Sequence, residues 1–199
     1  ASASPSPLPP PPAPLRATGP YPEDAVKAVF LYRFAGYVQW PQAPRQGDEF
    51  TIAVLGGDAV AVQLRQLLPG HQIQGEPAQV RTITRIAQLG GAQMLYVGPE
   101  YEGNVHALIA ALGNRPVLVV TDEPDGLQEG SEVNFLLRGQ HVRFEVSVAA
   151  ARRIGLKISS ALLAVAERVK TGNVPADLPC SPGAHPGRTQ SCLVWVASQ

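Results

Sequence analysis

Charge is scarce in this sequence, and neither sign is in excess. Lys plus Arg and Asp plus Glu stand at 16 each in 199 residues, or 16% of the chain, against roughly 25% in an average globular domain. Without a basic excess there is no broad field to steer the protein onto nucleic acid or anionic lipid. No run approaches the roughly 20 apolar residues of a membrane span. The four histidines, His71, His106, His141 and His185, are scattered without zinc spacing, so no metal site is expected. There is no Walker lysine, no dinucleotide fingerprint and no G-x-S-x-G elbow. No cofactor and no catalytic residue follow from the sequence, and the chain reads as a non-enzyme.

Cysteine is nearly missing too. Cys180 and Cys192 are the two in the chain, both in its final segment. One reading is an oxidised pair in an extracytoplasmic protein, closing a short loop worth on the order of 3 kcal/mol in the chain-entropy picture. The other is two unrelated thiols. Only His185 lies between them, which does not make a four-ligand site.

What is present begins with proline. Residues 1–20 hold eight of the twenty prolines, a composition that favours extended polyproline II over a core. The start, ASASPSPLPPPPAP, reads as what remains after a signal peptide is removed. The expected organisation is a Pro-rich linker over 1–20, an α/β domain over 21–172 and a Pro/Gly-rich tail over 173–199. In the tail, Leu193–Val196 is an apolar run that either adds to a sheet edge or joins an oligomer contact.

A first helix is expected over 22–38, opened by Pro22 with Glu23 and Asp24 at its positive end. Val26, Val29, Phe30, Phe34, Tyr37 and Val38 form its apolar stripe. Phe30, Tyr32, Phe34, Tyr37 and Trp40 are five of the chain's twelve aromatics. They either pack a core or offer a surface to a partner. Strands are expected at 50–55, 79–83, 93–97 and 116–121, the last placed centrally, alternating with helices at 59–68 and 101–112. Such alternation implies right-handed crossovers and a mostly parallel sheet flanked by helices, a Rossmann-like three-layer α/β fold.

The carboxyl edge of that sheet would gather Gly56, Gly57, Asp58, Gly98, Asp122 and Glu123. In an open α/β sheet this edge is the default ligand crevice. Gly56-Gly57-Asp58 before a helix is either an anion seat or a tight turn with Asp58 as N-cap. Asp122-Glu123 reads as an acidic turn. A receiver-type Mg²⁺ site would need an acidic pair after the first strand, which is lacking.

The strongest pattern is 133–172. Val133, Phe135 and Leu137 alternate with Asn134, Leu136 and Arg138, and Val142, Phe144, Val146 and Val148 with Arg143, Glu145 and Ser147. Gly139-Gln140 suits a two-residue turn. With Arg138 opposite His141, the register sets Val133 against Val146, Phe135 against Phe144 and Leu137 against Val142. This hairpin is expected to close the sheet. A short helix at 149–154 with Gly155 at its end follows. A last helix follows it, capped by Ser159 or Ser160, with Leu162, Val165, Ala166 and Val169 at helical spacing and Arg168 and Lys170 at its negative end.

Two blocks together, AVKAVFLYRFAGYVQWP (25–41) and VNFLLRGQHVRFEVSVAAARRIGLKISSALLAVA (133–166), resemble the YfiR-like family of periplasmic proteins. FTIAVLGGD and RPVLVVTDEPDG fall between them in the expected order. The resemblance covers roughly residues 23–170. It implies an exported regulator that represses an inner-membrane diguanylate cyclase through the cyclase's periplasmic sensor part. It implies too that an outer-membrane lipoprotein sequesters the repressor, releasing cyclic-di-GMP synthesis and biofilm formation, and that the protein is a homodimer. Disulfides inside the domain are a feature of the family type, but no cysteine lies between residues 21 and 172 here, so a redox switch within the domain does not carry over. The alternative function is a periplasmic small-ligand sensor using the carboxyl-edge crevice, where a ligand shifts the population competent for a partner.

Overall fold

The structure, a computed structural model, describes residues 22–41 and 49–172. The Pro-rich head, the tail and both cysteines lie outside the described residues. A helix α1 (Glu23–Tyr37) leads into a short strand β1 (Val38–Gln39). Strand β2 (Phe50–Leu55) is followed by α2 (Asp58–Leu67), then β3 (Gln72–Ile73) and β4 (Glu76–Ile83). A 3-10 turn at Ile86–Gln88 precedes β5 (Met94–Val97), α3 (Val105–Leu112), β6 (Leu118–Thr121) and a one-turn α4 (Gly126–Glu129). The hairpin β7 (Val133–Arg138) and β8 (His141–Ser147) leads to α5 (Val148–Arg153), β9 (Lys157–Ile158), α6 (Ser160–Val165) and β10 (Arg168–Lys170).

The sheet has eight strands in the order β10-β8-β7-β6-β5-β2-β4-β3, and β1 pairs with β9 in a separate ribbon. Within the eight-stranded sheet pairings are parallel except β7 with β8 and β3 with β4, and the β1–β9 ribbon is antiparallel. This is a mixed α/β fold on a mostly parallel sheet, with β6 central as expected. The hairpin register is the expected one throughout, from Val133↔Val146 to Arg138↔His141. The reason is the one the pattern gives: a slip by one residue would turn Phe135 or Phe144 to water.

Alternate residues of each central strand feed two cores. Ile52, Val54, Met94, Tyr96, Leu118 and Val120 face α1, α2, α5 and α6. Ala53, Leu55, Leu95, Val97 and Val119 face α3. A strand buried on both faces reads as a continuous apolar run, which is why 50–55 and 116–121 stand out in the sequence.

Several expectations are corrected. The buried face of α1 is Lys27, Ala28, Leu31, Phe34 and Ala35. Val29 and Tyr37, placed in the apolar stripe, are instead over 40% exposed. The aromatics mostly turn inward: Phe34 meets Phe144 at 4.9 Å and Phe135 at 5.7 Å between ring centroids, and Trp40 packs edge-on to Phe50. The N-cap of α2 is Gly57, with no side-chain cap, and Asp58 is already helical. Helix α3 begins at Val105 because the Asn104 side chain accepts from Ala107 N–H at 2.7 Å.

The hairpin does not form the sheet's edge. The last helix stops at Val165, and residues 168–170 pair with β8 as a parallel strand. Val165 and Val169 find no core for a longer helix to face, and both are exposed. Ser159, not Ser160, caps α6, accepting from Ala161 N–H at 3.2 Å. Strand β3 was not legible. Its turn uses Gln74 and Gly75, both at positive φ, and the Gln74 amide donates to Val38 O at 2.7 Å and Ala35 O at 3.2 Å, closing the C-terminus of α1.

Candidate functional site

The six edge residues fall into two neighbouring groups. Gly56, Gly57 and Gly98 form a close-packed knot. A Cβ on Gly98 would stand 2.2 Å from Gly56 O, one on Gly56 2.4 Å from Tyr101 N, and one on Gly57 2.6 Å from the Tyr96 ring. These glycines serve contact between chain segments, and Gly56 in addition takes φ +65°. Asp58 sits just beyond, and its N–H donates to a Glu100 carboxylate oxygen at 3.3 Å. The positive end of α2 therefore already holds an anion, supplied by the chain itself.

Asp122 and Glu123 lie at the end of β6. Asp122 accepts an ion-paired hydrogen bond from Lys27 and one from the Tyr96 hydroxyl at 3.0 Å. Lys27 also pairs with Glu23. Burial pulls the Lys27 pKa down, but the bonds to Asp122 and Glu23 together outweigh it and hold the ammonium above its ordinary value. Burial, then the Asp122 charge, raises the Tyr96 phenol, which stays protonated. Tyr96 joins the two groups, its ring under Gly57 and its hydroxyl on Asp122. Burial chiefly, then Glu129 and Asp122, raises the Glu123 carboxyl.

Beside Asp122 and Glu123 runs a buried polar chain. Thr121 Oγ1 donates to Asn134 Oδ1 at 2.8 Å and shares a hydrogen bond with Ser131 at 2.9 Å. Asn134 Nδ2 donates to Glu123 O at 2.8 Å and Glu145 at 3.0 Å, and Arg168 reaches Glu145 at 3.4 Å. Gly126 lies over this chain so closely that a Cβ would meet Thr121 Oγ1 at 2.0 Å. An open cavity of about 400 Å³ borders it, lined by Asp122, Glu123, Pro124, Phe135 and Arg168 among others. The glycine knot borders a different one, about 320 Å³, with Gly56, Asp58, Glu100 and Tyr101. Lys27, Tyr96, Glu100, Asn134 and Glu145 were not singled out from the sequence. The available signal was Lys27 spaced with Ala28, Leu31, Phe34 and Ala35 on one face of the first helix, and a lone Asn in β7.

Among the described residues no group of three His, Cys, Asp or Glu could hold a metal ion, and no helix is long and apolar enough to cross a membrane. Fold and edge together define a mixed α/β domain whose edge pairs Asp122 with Lys27 and sets Glu100 on the Asp58 N–H. The chain belongs to the YfiR/HmsC-like family, whose model matches residues 24–167. That family is one of periplasmic regulators in cyclic-di-GMP signalling, acting on membrane diguanylate cyclases. Two solved structures are similar at low identity. One is a conserved domain protein from Vibrio cholerae O1 biovar El Tor, 14% identical with a TM-score of 0.48, over 74% of this chain and 60% of that one. The other is the ABC domain from Streptococcus pneumoniae in complex with L-Trp, 10% identical with a TM-score of 0.42, over 60% of this chain and 55% of that one. The chain thus spans under two thirds of the length of either. No curated protein matches the sequence significantly.

Proposed function

We propose that this chain is a periplasmic repressor that lowers the output of an inner-membrane diguanylate cyclase by binding the cyclase's sensor part. The family match over 24–167 carries the reading. Release by an outer-membrane lipoprotein, with biofilm formation as the result, and a homodimeric state extend it from the same resemblance. The Pro-rich head acts as a spacer, the two faces of packed helices are read as a three-layer arrangement around 21–172, and Cys180 and Cys192 are joined in the tail. The test is cellular cyclic-di-GMP with and without the gene, beside a pull-down on the cyclase's sensor part. A drop in cyclic-di-GMP together with recovery of the cyclase supports repression. Unchanged levels and an empty pull-down remove it. Mass measurement after thiol alkylation reads the cysteine pair, and two alkylated thiols in exported protein end that claim.

A second reading, a small-ligand sensor, is supported by the cavity beside Asp122 and Glu123. It gains nothing from Gly56, Gly57 and Gly98, which are occupied with one another.

A further inference from the structure

Charge in this neutral chain is segregated. Residues 49–132 carry ten Asp and Glu against four Arg, whereas residues 133–172 carry seven Lys and Arg against two Glu. The basic stretch contains the outer edge of the sheet, since β10 is the terminal strand among the described residues. All three residues of β10 are exposed.

The register fixes what that edge presents. The two-residue turn makes Arg138 and His141 a hydrogen-bonded pair, so Phe144 and Val146 bond away from β7, toward β10. Phe144 O indeed accepts from Glu167 N–H at 2.9 Å. With Arg168 opposite Glu145 and Lys170 opposite Ser147, Arg168 and Lys170 bond inward, and Val169 turns its N–H and C=O outward. Residues level with one another share a face, so Arg143, Arg168 and Lys170 stand on one side with Arg138. Two carboxylates answer them, Glu145 to Arg168 and Glu167 to Arg138. Arg143 and Lys170 have no carboxylate partner among the described residues.

An open edge with unpaired backbone groups is a template for another strand. We propose that the β10 edge receives an extended acidic segment of a partner protein, which continues the sheet with carboxylates beside Arg168 and Lys170 and an apolar side chain beside Val169. Charge selects this occupant. A second copy of the same edge would set Arg168 and Lys170 against like charges. The chain's own Leu193–Val196 carries no carboxylate. The inference deepens the regulatory reading by naming a surface, and rests on it only for the existence of a protein partner. The test below and the cyclic-di-GMP assay can each fail alone.

The probe is a peptide of alternating Glu and Val, about ten residues long, titrated against the full chain. Its comparator carries Lys in place of Glu. Saturable binding of the Glu peptide alone, with slowed amide exchange at Val169, is expected. Arg168→Glu with Lys170→Glu should weaken it by at least about tenfold and transfer binding to the Lys peptide. Val169→Pro removes the outward N–H while leaving both cations, and should weaken binding without changing the far-UV spectrum. The charge-reversed pair keeps the test decisive if that proline disturbs the strand. Equal binding of both peptides, no binding, or no effect of the charge reversal overturns the proposal. So does a Val169 amide already protected in the unbound chain, because the edge is then covered by the tail or a second copy.

Discussion

Glu132 is 1% exposed and accepts from Val119 N–H at 2.8 Å, continuing the β6 ladder where β7 begins. Burial dominates its titration and, against the backbone bonds and Arg153, pushes its pKa up to about 7. The folded state therefore holds a proton that the unfolded chain releases near 4.5. Its contribution is fully present below that value and is lost as pH rises through about 7. Glu132→Gln keeps the acceptor and removes the titration. The variant should match the parent near pH 4 and exceed it above pH 7 by roughly 3 kcal/mol at most. Thermal melts of the two proteins from acid to mildly alkaline pH test this, and a difference that does not change with pH would sink it. Substitution at Lys27 has the opposite expected effect on stability. Truncation to Ala strands Asp122 and should cost roughly 3–5 kcal/mol, whereas Lys27→Ala with Asp122→Asn should recover part of that loss in denaturant titrations.

Among elements, the glycine knot gives a contrast that a sequence cannot show. Gly98→Ala drives a Cβ into the Gly56 carbonyl and should lower the melting temperature by more than about 4 °C. Gly36→Ala, inside α1 with nothing within 4 Å of the new Cβ, should raise stability by roughly 0.5–1 kcal/mol. If both changes had the same sign, the packing described for the edge would be mistaken. Hairpin and central strands were legible because their alternation or unbroken apolarity has one low-energy placement. Helix α1 was legible in extent but not in rotation. Its apolar stripe is broad, and a buried lysine satisfied by Asp122, 95 residues away, decides which side faces the sheet. Strand β10 was read as helix because Val165 and Val169 keep helical spacing, and the pairing that overrides it comes from β8. The edge glycines lie against one another, but contact partners such as Tyr101 and Glu100 come from a loop whose path no local pattern encodes.

For the whole molecule, the family match and the described fold share nearly the same bounds, 24–167 and 22–172. Two buried cores and a continuous ladder lie within them. A chain of that length with cores of this kind is expected to fold by itself. A chain cut to residues 22–172 should therefore unfold in one cooperative transition, within about 4 °C of the full protein. The cut removes Cys180 and Cys192 together with the proline-rich head, so the comparison also weighs their share in stability. If the tail crosslink braces the domain, the full protein should lose that margin on reduction while the shortened chain stays unchanged. If the shortened chain instead melts broadly or far lower in both redox states, the domain extends into the tail, and the organisation proposed for this protein has to be redrawn around that segment.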